Sequence, residues 1–224
     1  SDYNGAHRVF RISLGLLTGI GIITSIILFS SSGIVSQIIG NPKAVYSILA
    51  IAPALFFVSI LSAFRGYFQG MQLMVPTALS QIVEQAAKLI LGLWLSSLWV
   101  KRGVEYGAAG AVFGVTLSEI AALALILGIY QRKKKNILRN IRLNRWSKYR
   151  EPTRAIIARM ISIAIPVTVG ASIMPLVGLA DEAIVVNRLI GIVNYGTGLT
   201  YTVDEATQLY GLLTAYAGPL INFP

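Results

Sequence analysis

Three charged side chains interrupt runs that are otherwise free of charge. Glu84 and Lys88 stand at i and i+4 and so share one face of a helix. Glu119 interrupts the following run alone. An ionised group at membrane depth is costly, so it needs a partner or a water-filled space. Measured from a helix start near Pro76, Glu84 lies about 12 Å deep and Lys88 about 18 Å. On the next helix, running the opposite way, Glu119 lies about 17 Å from the same side. Lys88 and Glu119 are therefore expected at similar depth on neighbouring helices. The trio either lines a wet cavity in which Lys88 meets a phosphate, or forms a structural ion pair holding two helices together.

A second group is Asp181 and Glu182, with Arg188 beyond them, after a long uncharged stretch. They read as an outer gate or cation site, or as a solvated helix end. Gly15 with Gly19, Gly66 with Gly70 and Gly110 with Gly114 repeat small residues at four-residue spacing, which suits close helix packing. Arg132-Lys133-Lys134-Lys135 continues through Arg139, Arg142, Arg145, Lys148 and Arg150, with Ile137, Leu138, Ile141, Leu143 and Trp146 between. That spacing suits an amphipathic basic segment on an anionic cytosolic leaflet, and it also serves as a topology determinant. Cysteine is absent and His7 is the single histidine, so no thiolate or histidine metal site is expected. No P-loop, dinucleotide glycine motif or nucleophile elbow occurs, so no cofactor is called for. A membrane-embedded transferase would need clustered acids at an interface, and only Asp181 and Glu182 offer that.

The elements that must position these residues follow from composition. Of 224 residues, 55% are hydrophobic and 12% charged, about half the charged share of a soluble domain. Mean hydropathy is +0.69. A spanning helix takes about 20 apolar residues, so five or six such helices consume most of the apolar supply. The charge-free runs 12–42, 44–64, 160–180 and 206–224 are continuous rather than alternating, which excludes a β-barrel pattern. An all-α, polytopic transmembrane bundle is expected, with helices over 12–36, 44–64, 76–99, 107–130, 155–190 and 205–224. Pro166 and Pro175 are expected to bend the fifth, and 191–202 reads as a loop.

Net charge is +10, and eleven of the 19 Lys and Arg residues fall between Arg132 and Arg159. A soluble nucleic-acid binder would spread its basic residues over a folded surface; no nucleic-acid partner is expected. Basic loops stay in the cytosol. Placing 131–154 there puts Arg8, Arg11 and the Arg65 loop inside, with Lys43, Lys101 and Arg102 outside. Three parts result: 1–130 with four spans, a basic linker over 131–154, and 155–224 with two spans. The chain starts with Ser and ends in an apolar run, which reads as a piece of a longer transporter.

The stretch Arg65-Gly66-Tyr67-Phe68-Gln69-Gly70-Met71-Gln72, continued by Pro76-Thr77-Ala78-Leu79-Ser80-Gln81-Ile82-Val83-Glu84-Gln85, resembles the polysaccharide-flippase and stage V sporulation protein B family. That family lies in the superfamily of multidrug and oligosaccharidyl-lipid exporters that also holds the lipid II flippases. Glu205-Ala206-Thr207 with Leu209-Tyr210-Gly211-Leu212-Leu213-Thr214, and Pro219-Leu220-Ile221-Asn222, is similar to the same family. The resemblance implies about fourteen helices in two lobes around a central cavity, of which this chain looks like the third to the eighth. It also implies a bacterial cytoplasmic membrane, alternating access and a lipid-linked glycan of the undecaprenyl-pyrophosphate type as cargo.

A sugar-pyrophosphate head group cannot cross hydrocarbon without replacement of its hydration. Arg65 at the cytosolic mouth and Lys88 within are the cationic residues suited to that, with Glu84 and Glu119 beside them. Gln69, Gln72, Gln81 and Gln85 suit the hydroxyls, while Arg65, Gly66 and Gly70 equally suit a tight cytosolic turn. The competing reading is a cation-coupled multidrug exporter of the related branch.

Overall fold

The computed structural model describes residues 3–38, 42–143, 152–190, 192 and 200–221. They form six α-helices: α1 (Tyr3–Ile38), α2 (Val45–Gly70), α3 (Met74–Trp99), α4 (Val104–Leu143), α5 (Thr153–Ile190) and α6 (Val203–Ile221). Short 3₁₀ turns over Pro42–Ala44 and Val100–Arg102 precede α2 and α4. The all-helical class and all six expected helices are present. Gly5–Ile38, Pro42–Gly70, Val104–Lys134 and Thr153–Gly178 are each long and apolar enough to cross a membrane, and the chain is a multi-pass membrane protein. Ile23, Ile26, Ile27 and Ile34 stay open on α1, as a helix facing lipid requires. Gln81, Glu84, Gln85 and Lys88 lower the apolarity of α3, which packs along α4.

The chain divides into two compact units, 1–157 and 158–224. In the first, α2 lies between α1 and α4, and α3 packs mainly on α4. Ring contacts fix the register. Phe10 meets Phe64 and Tyr67 at 5.1 and 4.3 Å, and Ser25 Oγ donates to the Ala52 carbonyl at 2.8 Å, so α1 and α2 are antiparallel. Tyr130 meets Phe64, while Thr116 Oγ1 donates to the Ala50 carbonyl at 2.7 Å, so α2 and α4 run parallel. Phe10, Leu61, Phe64, Tyr67, Phe68, Leu123 and Ile126 form the core.

Pro53 lies inside α2. A proline there removes one backbone donor and disturbs the carbonyls one turn earlier. Hydroxyls from both neighbours occupy that turn, Ser25 at Ala52 and Thr116 at Ala50, which is how membrane helices tolerate proline.

Of the three glycine pairs, one is a packing seam. A Cβ on Gly114 would come within 2.5 Å of Gly92 Cα, and one on Gly110 within 2.8 Å of the Leu95 carbonyl oxygen. Side chains added at Gly15, Gly19, Gly66 or Gly70 would meet nothing within 4 Å. Among the described residues those four glycines make no close helix contact, so the expected packing role is seen only for Gly110 and Gly114.

α5 starts in the first unit at Thr153 and makes up most of the second as one helix, with Pro166 and Pro175 inside it. A capping box starts α6: Thr202 N–H and Oγ1 donate to Glu205 Oε2 at 2.9 and 3.1 Å, and Glu205 N–H donates to Thr202 Oγ1 at 3.3 Å. Tyr210 OH donates to the Gly178 carbonyl at 3.4 Å. Of the expected 191–202 loop, 191 and 193–199 lie outside the described residues.

Candidate functional site

The chain between Arg65 and Glu84 is a helical hairpin whose turn is short. Leu73 N–H donates to the Phe68 carbonyl at 2.8 Å and Gln72 N–H to the Gln69 carbonyl at 2.9 Å, a Schellman motif closing α2. Gln72 takes the left-handed position, with φ 58°, where glycine is the usual residue. Arg65 and Gly66 are therefore not in the turn. The expected Arg65 loop is a helical segment: α2 continues to Gly70, and Met71–Leu73 turns the chain. The charge of Arg65 does not end the helix, because a partner within reach accepts it.

That partner is Glu84. Arg65 Nη2 donates to Glu84 Oε2 at 2.7 Å, and Arg65 Nε donates to Ser80 Oγ at 2.9 Å. Ser80 in turn donates to the Thr77 carbonyl at 2.8 Å. Lys88 Nζ donates to Glu84 Oε1 at 3.2 Å from one turn along α3. Both carboxylate oxygens of Glu84 are thus taken by cations. The Glu84 and Arg65 side chains are 10% and 16% exposed, against 34% for Lys88. Two charges this far from water persist only with such mutual compensation.

Glu119 approaches from α4 and is buried. It interacts electrostatically with Glu84, Lys88 and Arg65, and its Oε2 has no hydrogen-bond partner. The α3–α4 seam explains the meeting: Gly92 opposite Gly114 and Leu95 opposite Gly110 set an antiparallel register that, continued down the pair, brings Glu119 level with Lys88. Arg65, Glu84, Lys88 and Glu119, separated by up to 54 positions in the chain, form one polar centre on α2, α3 and α4.

Gln81 and Gln85 do not join that centre; both are exposed. With Lys88 they stand at i, i+4 and i+7, one stripe along the rim of the buried face of α3. Two carboxamides and an ammonium facing hydrocarbon would be expensive, so this stripe needs water, polar protein or a polar ligand. On α5, in the second unit, Asp181 and Arg188 are exposed and the side chain of Glu182 lies outside the described residues. Among the described residues no group of three His, Asp or Glu gathers as a metal ligand set.

Thr77 and Ser80 are the residues that sequence reasoning missed. Both are buried, with Thr77 Oγ1 unpartnered. The signal was present, because Ser80, Glu84 and Lys88 fall at i, i+4 and i+8. A second omission is a cavity of about 410 Å³ lined by His7, Arg8, Arg11, Ile12 and Thr153. The basic segment is described in part: α4 carries Arg132, Lys133 and Lys134 and continues as helix to Leu143, whereas Arg145, Trp146, Lys148 and Arg150 lie outside the described residues.

Comparisons with known proteins supply context for this centre. The family described as "Polysaccharide biosynthesis protein" matches residues 1–222. Stage V sporulation protein B of Bacillus subtilis (strain 168) is 28% identical over 229 residues, covering 100% of this chain and 41% of that protein. The lipid II flippase MurJ of the same organism is 31% identical over 149 residues, 61% of this chain and 27% of that protein. Its uncharacterized membrane protein YabM is 27% identical over 185 residues, with 81% and 34% covered. The chain spans less than half the length of each of these curated relatives. No solved structure matches it.

Proposed function

The chain belongs to the polysaccharide biosynthesis protein family, and from that membership we propose that it forms part of a flippase. The cargo is a lipid-linked cell-wall or polysaccharide precursor of the undecaprenyl-pyrophosphate type, moved across the bacterial cytoplasmic membrane by alternating access. The observation that carries this reading is the polar stripe Gln81, Gln85 and Lys88 beside the Arg65–Glu84–Glu119 centre. Hydrocarbon does not tolerate such a surface, whereas a wet pathway for a sugar-pyrophosphate head group uses one. Lys88 supplies positive charge for the phosphates, and the glutamines supply donors and acceptors for hydroxyls.

Glu84 and Arg65 hold that surface in place from behind. Lys88 is the more exposed of the two cations and shares its anion with Arg65, so an arriving phosphate competes for it without stripping the Glu84 carboxylate bare. The name of one relative, a lipid II flippase, supports a lipid-linked precursor over a small-molecule drug.

The test is complementation of a strain lacking its lipid II flippase, using the full-length gene with and without Lys88→Ala. Growth with the unaltered gene, and its loss with a variant that still inserts in the membrane at normal level, is the expected result. Equal growth of both would overturn the role of Lys88. Failure of the unaltered gene, together with accumulation of a different lipid-linked glycan in its own host's deletion strain, would reassign the cargo.

A further inference from the structure

At the end of the first unit where α1 begins, α4 leaves its apolar stretch and α5 begins, His7, Arg8, Arg11, Ile12 and Thr153 line a cavity of about 410 Å³. Arg8 Nη2 donates to Thr153 Oγ1 at 3.1 Å, linking the start of α1 to the start of α5 at this cavity. Lys134 of α4 and Arg11 both stand within electrostatic range of His7. Among the described residues no carboxylate pairs with Arg8 or Arg11. The Nδ1 atom of His7 is buried without a hydrogen-bond partner. The guanidinium-bearing residues Arg8 and Arg11 thus line one opening, with no carboxylate of the described residues paired to either.

The surroundings say where such an anion would come from. His7 meets Phe10 at a tilt and Tyr67 edge-on, with centroids 6.1 Å apart in each pair, and Tyr130 meets Phe10 in turn. The charge-free run of α1 starts at Ile12 and that of α4 ends before Arg132, so the cavity lies where both helices leave their apolar stretches, and Ile12 gives it an apolar wall. A cationic rim over an apolar wall suits a phosphate that carries an acyl or prenyl chain. Arginine guanidinium groups bind phosphate oxygens in a geometry that lysine cannot match.

We propose that the His7–Arg8–Arg11–Thr153 cavity is a phosphate-binding site at the membrane surface, separate from the Arg65–Glu84 centre, whose ligand is the phosphodiester of an anionic lipid. The site depends on the arginines and on the hydroxyl that orients Arg8, and it is independent of the transport reading above.

The full chain, purified in mild detergent and mixed with phosphatidylglycerol or phosphatidylcholine, is examined by native mass spectrometry. One phosphatidylglycerol retained in preference to phosphatidylcholine is the expected result, with retention falling about tenfold in Arg8→Gln/Arg11→Gln. Thr153→Val keeps the charge and is expected to weaken retention less; it guards against a loss caused by misfolding. Inorganic phosphate is the second arm. Binding of phosphate that the double variant loses, with no lipid preference, assigns the site to free phosphate and overturns the lipid assignment. Equal phosphatidylglycerol retention by the unaltered protein and the double variant overturns the site altogether.

Discussion

A carboxylate inside a helix bundle survives only if other groups replace its water, and Glu84 has two cations in that role. They are unequal. Arg65 is the shorter contact, the more buried side chain and the one also held by Ser80. Lys88 is a third exposed and bonds within its own helix, an arrangement worth little by itself. Removing Glu84 leaves Arg65 and Lys88 facing each other with Glu119 as the remaining counter-charge nearby. Glu84→Gln is therefore expected to cost about 3 kcal/mol of stability, and Lys88→Met under about 1 kcal/mol. Denaturation midpoints of the purified protein in detergent check the ranking. Equal losses would mean that Arg65 is not the principal partner. The same inequality makes Lys88 the useful residue for transport assays, since its removal leaves the fold largely intact.

At the scale of elements, the α3–α4 pair depends on backbone approach rather than on large side chains. Gly92 and Gly114 face each other so closely that any Cβ on Gly114 must push the helices apart. Gly114→Ala is expected to destabilise by about 2 kcal/mol and to move Glu119 away from Lys88, while Gly19→Ala, with open space around it, changes little. Thermal melting of the two variants in detergent separates them; a silent Gly114→Ala would place the seam elsewhere. Sequence reasoning located all six helices but ended several too early. It used charge as a boundary, stopping α2 before Arg65, starting α1 after Arg11 and closing α4 at the basic block. The structure carries α2 to Gly70, α1 back to Tyr3 and α4 on to Leu143. Charge marks where a helix leaves hydrocarbon or finds a partner, whereas backbone hydrogen bonds decide where it ends. The Glu84–Lys88 pair was legible because i,i+4 geometry is local. The Arg65–Glu84 bond was not, since it depends on the Schellman turn at Gln72, a left-handed position that a glutamine does not advertise.

For the molecule as a whole, the first unit has two chemically distinct ends. Arg8, Arg11, Arg132, Lys133 and Lys134 gather where α1 starts and α4 leaves its apolar span, an end fixed by the Phe10–Tyr130 contact at 5.8 Å. Lys43, Lys101 and Arg102, partly offset by Glu105, lie at the opposite end, where the Tyr46–Tyr106 contact at 4.9 Å joins the starts of α2 and α4. From the cytosolic enrichment of Lys and Arg we propose that the first end faces the cell interior. In that orientation the proposed phosphate cavity would open on the cytosolic leaflet, with the Gln72 turn beside the same surface. These 224 residues contain no cysteine, so single substitutions here, in a protein with any cysteine elsewhere replaced, report orientation. In intact cells, a membrane-impermeant maleimide is expected to label Lys101→Cys and to spare Lys134→Cys until the membrane is permeabilised. Labelling of Lys134→Cys from outside would invert the molecule. The cavity would then open to the exterior, and a precursor made in the cytosol would first meet the Lys43–Lys101 end, reversing the direction in which the stripe on α3 is entered.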